Sequence, residues 1–200
     1  MNDSKEHILL TSFNLFLQKS FKEVTMKEIV EKTGLSKGAF YHYFKSKEEV
    51  FEEVMTHFYA DLLITDYSKF SQTSLFQFYT DSLNEKKTKI KSSKIPNSNK
   101  ENTFTSNHYF LIFDAIKMLP DFKKQRTKQQ KDELNAWVKI IRVAKNNGEI
   151  VTKVNDEELA KLFIYSAKGA GINCIMKDNY DNSRNEIKKL WDVLYNTIKK

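Results

Sequence analysis

Residues 25–47 read Thr-Met-Lys-Glu-Ile-Val-Glu-Lys-Thr-Gly-Leu-Ser-Lys-Gly-Ala-Phe-Tyr-His-Tyr-Phe-Lys-Ser-Lys. Their spacing describes two short helices joined at a glycine corner. Thr25 with Glu28 fits a capping box, which starts a helix at Met26. That helix turns Ile29 and Val30 toward a core and ends near Thr33. Gly34 can take the left-handed conformation that stops a helix at little cost. Leu35 fills the corner, and Ser36 is a good N-cap for a second helix.

On the second helix, steps of about 100° per residue put Phe40 and Phe44 on one side, one turn apart. Gly38, Ala39 and His42 fall on the other side, flanked by Tyr41 and Tyr43. A face built on Gly and Ala lets something large approach the backbone. Polar rings around it can donate hydrogen bonds and stack. Ser46 with Glu49 reads as another capping box, so a third helix starts at Lys47. Its first turn offers free backbone N–H groups and a lysine, which together suit a phosphate. A capped helical corner alone also occurs in proteins that never touch DNA. The outward ring cluster followed by Lys47 favours a helix that lies in a DNA groove.

With these residues in view, positions 8–51, about a fifth of the chain, resemble the DNA-binding domain of the TetR/AcrR family of bacterial repressors. The resemblance runs through Ile8-Leu9, Leu15-Phe16, Phe21, Thr25, Ile29, Gly34, Leu35-Ser36-Lys37-Gly38, Phe40 through Phe44, and Lys47. Two positions depart from the family pattern: Ser20 stands where Gly is usual, and Val30 where Ala is frequent. The resemblance implies an all-α protein. A three-helix helix-turn-helix domain (1–48) would be followed by a helical ligand-binding and dimerisation bundle (49–200). It implies that Thr25, Ser36, Lys37, Gly38, Ala39, Tyr41, His42, Tyr43 and Lys47 contact double-stranded operator DNA.

Composition agrees with a helical chain. Only five Gly and two Pro occur in 200 residues, too few for the turns of an all-β fold, while 15 Phe supply core material. The net charge is +7. Residues 1–48 hold eight lysines against six carboxylates, a net +2, so DNA binding there depends on placed groups more than on bulk charge. One cysteine, Cys174, excludes an intramolecular disulfide and a multi-cysteine metal site. The N-terminus lacks an apolar signal segment, and no run approaches a membrane span. These features lead to an expectation of a cytoplasmic protein without cofactor or membrane partner. Nucleophile elbows, phosphate-cradling glycine loops and His-Glu-x-x-His are all missing, which argues against an enzyme.

Beyond residue 48, helical spacing repeats in Phe51, Val54, Phe58 and Leu62, and in Leu75, Phe76, Tyr79 and Leu83. It recurs in Tyr109, Phe110, Phe113 and Ile116, and in Leu134, Trp137, Val138, Ile141 and Ala144. Two further helices carry Leu159, Leu162, Phe163 and Ser166, capped by Asp156, and Ile187, Leu190, Trp191, Leu194 and Ile198. Residues 86–103 read as a frayed helix end and a solvated, lysine-rich loop. The family resemblance implies a small-molecule effector site. Its aromatic candidates are Phe76, Tyr79, Tyr109, Phe113, Trp137 and Phe163, with polar contacts from His57 or His108, for a mainly apolar or aromatic ligand. The small-residue tract 166–171 permits close helix approach or a kink. Homodimer candidates are Ser166, Ala167, Ala170, Cys174, Leu190, Trp191 and Leu194. Two copies would read a palindromic operator with half-sites a helical turn or more apart. A C-terminal bundle that only dimerises or holds a protein partner is equally compatible with these residues.

Overall fold

A computed structural model describes residues 3–92, 105–177, 179 and 182–200; for 60–63, 86–87 and 89–92 it describes the backbone alone. Among the described residues the elements are α1 (Asp3–Gln18), α2 (Met26–Thr33), α3 (Lys37–Tyr43), α4 (Lys47–Leu63) and α5 (Leu75–Ser92). They continue with α6 (Ser106–Met118), α7 (Pro120–Asn146), α8 (Asp156–Met176) and α9 (Ser183–Ile198). The helix end expected from residue 86 onward runs to Ser92; the expected loop, residues 93–104, and the side chain of Leu62 lie outside the described residues.

The helices form two compact units. The first holds residues 3–63 and 105–126; the second holds 64–92 and 127–200. The first unit is thus larger than residues 1–48, because α1 packs on α2, α4 and α6, and α4 packs on α6. Ile8, Leu9, Ser12, Phe13, Leu15 and Phe16 bury one face of α1. Ser12 turns its hydroxyl back to the Ile8 carbonyl at 2.7 Å, which satisfies it inside the core. Phe16, Phe21 and Phe51 meet with ring centroids 4.7–5.9 Å apart. Each fully buried ring contributes about 1.5–3 kcal/mol.

One helix face in this unit differs from the sequence expectation. On α6 the inward stripe is His108, Leu111 and Ala115, while Phe110 and Phe113 are 62% and 58% exposed. Apolar residues lie all around α6, so spacing alone left its rotation open. Ser20 opens a turn: its carbonyl accepts from the Glu23 and Val24 amides, and the Glu23 carboxylate accepts from its amide and hydroxyl. These bonds draw the Glu23 carboxyl below its usual pKa, chiefly through the Ser20 amide. A serine hydroxyl contributes here what glycine cannot. Asp114 of α6 accepts from the Phe21 amide of this turn at 3.2 Å.

In the second unit, α8 packs on α9, and α5 packs on α9. Tyr79, Trp137, Phe163 and Trp191 make its centre. Trp137 stacks on Phe163 at 5.0 Å and meets Trp191 edge-on at 5.1 Å. The Trp191 indole N–H donates to the Phe163 carbonyl at 2.7 Å. Phe78, not Phe76, faces this core from α5. The tract 166–171 runs without a break through α8. Asn155 caps α8, accepting from the Glu157 amide; Asp156 instead binds Lys145 and Arg142, and the Lys145 hydrogen bond is the main reason its carboxyl titrates below its usual range.

Glu149 fixes the start of α5. Its carboxylate accepts from the Leu75 and Phe76 amides, both at 2.9 Å, from the Ser74 hydroxyl and from the Tyr195 hydroxyl. An anion at a helix N-terminus meets orphan amides and the positive end of the helix dipole. Replacing Glu149 by Ala is expected to lower unfolding free energy by about 2 kcal/mol, read from denaturant unfolding of the full chain.

His108 supplies a pH dependence. Burial depresses its pKa from 6.5 to about 4. The unfolded chain binds a proton near pH 6.5 that the folded chain refuses until about pH 4, so stability falls as pH drops through that window. The loss reaches at most about 3 kcal/mol. Unfolding curves of His108→Asn between these pH values should show a flatter dependence than those of the unaltered chain.

Candidate nucleic-acid interface

The segment 25–47 is held by caps that its own residues supply. The Thr25 hydroxyl accepts from the Glu28 amide at 3.2 Å. The returning half of the box is replaced: the Glu28 carboxylate takes Lys19 instead, which ties α2 to the end of α1. Gly34 sits at φ +67° and its amide donates to the Glu31 carbonyl, ending α2. The Ser36 hydroxyl accepts from the Ala39 amide at 3.2 Å and starts α3. Lys45 closes the other end by donating to the Tyr41 carbonyl at 2.7 Å. The Ser46 hydroxyl caps α4 through the Glu49 amide, while the Glu49 carboxylate reaches one residue further back, to the Lys45 amide.

These caps set the rotation of α3. Phe40 is wholly buried and Phe44 nearly so, and the Lys5 ammonium lies over the Phe44 ring at 5.8 Å. Ser36, Lys37, Gly38, Ala39, Tyr41 and His42 are exposed, and Tyr43 is half-buried with its ring edge-on to His42 at 5.3 Å. Thr25 is exposed at the start of α2. A side chain added at Gly38 would meet nothing within 4 Å, and Gly38 has no left-handed φ. The fold therefore makes no demand for glycine there, although glycine inside a helix costs about 1 kcal/mol. Its lack of a side chain leaves the backbone of α3 open on this side.

Lys47 is placed differently from its sequence reading as a phosphate anchor. Its ammonium donates to the carbonyls of Phe21 at 2.9 Å and Val24 at 2.7 Å, and lies 4.4 Å from the Phe21 ring centroid. Two of its three protons hold the turn before α2. The spacing of Ser20, Phe21 and Lys47 gave no sign of this contact, which joins residues 26 positions apart.

The other candidates divide between the units. Tyr109 and Phe113 belong to the first; Phe76, Tyr79, Trp137 and Phe163 belong to the second. Tyr79, Trp137 and Phe163 are buried against one another and Trp191, whereas Phe76 is 46% exposed. The Tyr79 hydroxyl donates to Asp192 at 2.9 Å; burial first, and this carboxylate second, raise its pKa. Among the dimer candidates Ala167, Cys174 and Trp191 point inward, Ser166, Ala170 and Leu194 are half-buried, and Leu190 is exposed. The outward apolar residues of α8 are Leu162, Tyr165, Ile172 and Met176, and α9 adds Val193 to Leu190. Among the described residues no His, Cys, Asp or Glu cluster could hold a metal ion, and no helix is long and apolar enough to cross a membrane.

Residues 8–54 match the family described as bacterial regulatory proteins, tetR family. This N-terminal segment of the chain is similar to the DNA-binding region of that family. An uncharacterised HTH-type transcriptional regulator of Bacillus subtilis, YerO, is 54% identical over 48 residues, covering 24% of this chain and 17% of YerO. The HTH-type transcriptional repressor NemR of Escherichia coli K12 is 37% identical over 59 residues, 30% of each chain. These matches span less than a third of either relative. Both relatives are named as regulators, not enzymes. Over the whole length, the fold is similar to that of MexZ, a repressor from Pseudomonas aeruginosa, with a TM-score of 0.66 and 14% identity over 97% of this chain and 96% of that one.

Replacing Lys47 by Met keeps the stem but removes both hydrogen bonds. The change is expected to lower the unfolding free energy by about 1–2 kcal/mol. A lysine that served only as a phosphate contact would leave urea unfolding unchanged.

Proposed function

We propose that this protein is a DNA-binding transcriptional repressor that reads a palindromic operator as a homodimer and is released by a small molecule. The exposed face of α3 carries the reading. Lys37, Gly38, Ala39, Tyr41 and His42 stand outward on a helix whose Phe40 is buried, within the segment most like known TetR-family regulators. Lys37 and His42 can hydrogen-bond base edges, Gly38 and Ala39 permit close approach, and Tyr41, Tyr43 and the capped ends of α2 and α4 can meet phosphates.

Seven residues of α3 span about 10 Å, too little for useful affinity from one copy. Two-fold pairing doubles the contacts and sets half-site spacing. The exposed stripe of Leu162, Tyr165, Ile172 and Met176 on α8, with Leu190 and Val193 on α9, supports pairing with a second copy. Gly169 lies in this stripe with open space around it, which suits close approach of another helix.

The packed contacts among Tyr79, Trp137, Phe163 and Trp191 favour a second reading for the second unit, in which these rings stabilise the bundle and hold no effector. The DNA test is a gel shift with the duplex immediately upstream of the gene. The unaltered chain should retard it. His42→Ala combined with Tyr43→Ala should weaken retardation at least about tenfold while leaving thermal unfolding unchanged. Undiminished binding by that double variant removes the recognition role from these residues.

A further inference from the structure

The turn between α1 and α2 sets the direction in which α2, and after it α3, leaves α1. Residues 19–25 form it and belong to no helix. The Ser20 carbonyl closes the turn by accepting from the Glu23 and Val24 amides at 3.1 and 3.3 Å. The Phe21 amide lies on the same peptide as that carbonyl, and it donates to Asp114 of α6 at 3.2 Å. The next peptide is held from the opposite charge: Lys47 of α4 donates to the Phe21 carbonyl at 2.9 Å and to the Val24 carbonyl at 2.7 Å. All of these groups belong to the first compact unit.

Core burial does not make this clasp redundant. The Phe21 ring is buried between Phe16 and Phe51, which fixes the side chain. A ring held on its own Cβ leaves the two flanking peptide planes free to rotate. Asp114 and Lys47 hold one plane each, and hydrogen bonds to ionised groups are about twice as strong as neutral ones. The other tie near this turn, Lys19 to Glu28, is an exposed ion pair and holds little. Asp114 itself is half-buried, and α6 is seated by His108, Leu111 and Ala115 without it. The orientation of the turn passes within four residues to Thr25, whose hydroxyl caps α2, and from α2 through Gly34 to α3.

We propose that Asp114 is a positioning residue for DNA recognition: its carboxylate, acting with Lys47 on the backbone of Phe21, sets the angle at which α2 and α3 meet a base sequence. The proposal rests on the DNA-binding reading above and adds to it a residue of α6, far in sequence from the recognition segment. A tilted α3 still meets phosphates, but its hydrogen-bonding groups miss the base edges. The loss of Asp114 therefore falls on sequence preference, not on general attraction to DNA.

That preference is the ratio of the full chain's affinities for the upstream duplex and for a scrambled duplex of the same composition, read by fluorescence anisotropy. Asp114→Ala should lower the ratio about tenfold. Asp114→Asn keeps an acceptor oxygen at the same reach and should recover most of it. A full ratio in Asp114→Ala overturns the proposal. An equal loss on both duplexes, the mark of a smaller folded fraction, overturns it as well, as does an Asn variant no better than Ala. A second measurement needs no DNA. Amide hydrogen exchange in Asp114→Ala should quicken across residues 20–33 and stay unchanged in the middle of α1 and α4. Faster exchange in all of these helices, or in none, also overturns the proposal. The unaltered chain separates the two readings. Without a preference for the upstream duplex, it removes the DNA-binding reading and this one with it. With the preference, and an Asp114→Ala variant that keeps it, only the role of Asp114 is lost.

Discussion

A helix of seven residues has no independent stability in water, so the outward surface of α3 depends on the burial of Phe40. Its ring is inserted completely, with Phe44 one turn on as a second, nearly complete insertion. Nothing in the helix itself compensates for losing them. Ser36 and Lys45 satisfy the amides and carbonyls at its two ends, and Gly34 aims the chain into it. The rest of the first unit is a frame for these insertions: α1 supplies the floor, α2 the angle, and α4 a continuation of the chain that is itself buried through Val50, Phe51 and Val54.

Electrostatics plays a smaller and more local part than the net charge suggests. Of the eight lysines before residue 49, Lys5, Lys19 and Lys27 face carboxylates. Lys45 and Lys47 are bound to backbone carbonyls. Lys22, Lys32 and Lys37 have no side-chain ion pair or hydrogen bond among the described residues. A DNA interface with so few uncommitted cations would have a shallow salt dependence and little non-specific affinity. On the proposed reading, discrimination would come from hydrogen bonds and close contact, for which Gly38, Ala39 and His42 are suited.

Much of this was legible in the order of residues. The caps at Thr25, Gly34 and Ser36 act over three or four positions, so local spacing exposes them. The two phenylalanines of α3 and the apolar face of α1 follow a helical period that has one solution. The faces of α6, α8 and α9 were harder. Phe110 and Phe113 look like core material, yet His108, Leu111 and Ala115 are the inward stripe; Cys174 and Trp191 look available for a partner, yet both are filled into their own unit. Where apolar residues surround a helix, its rotation is fixed by the neighbour it packs on, and that neighbour is far away in the chain. Lys47 is the same case in miniature: its role depends on carbonyls more than twenty residues earlier.

The division of α3 into an inserted side and an open side separates two kinds of constraint. Stability is written in Phe40, Phe44 and the capping atoms, whereas Lys37, Gly38, Ala39, Tyr41 and His42 carry almost no folding duty. Space around Gly38 admits a larger residue without a clash. Substitutions on the open side can accordingly accumulate without unfolding the domain, so the same frame can acquire a different address while its architecture stays fixed. On the proposed reading, mutational tolerance and binding specificity would occupy the same five positions, and a lineage that duplicates this gene could explore new target sequences without first repairing its fold.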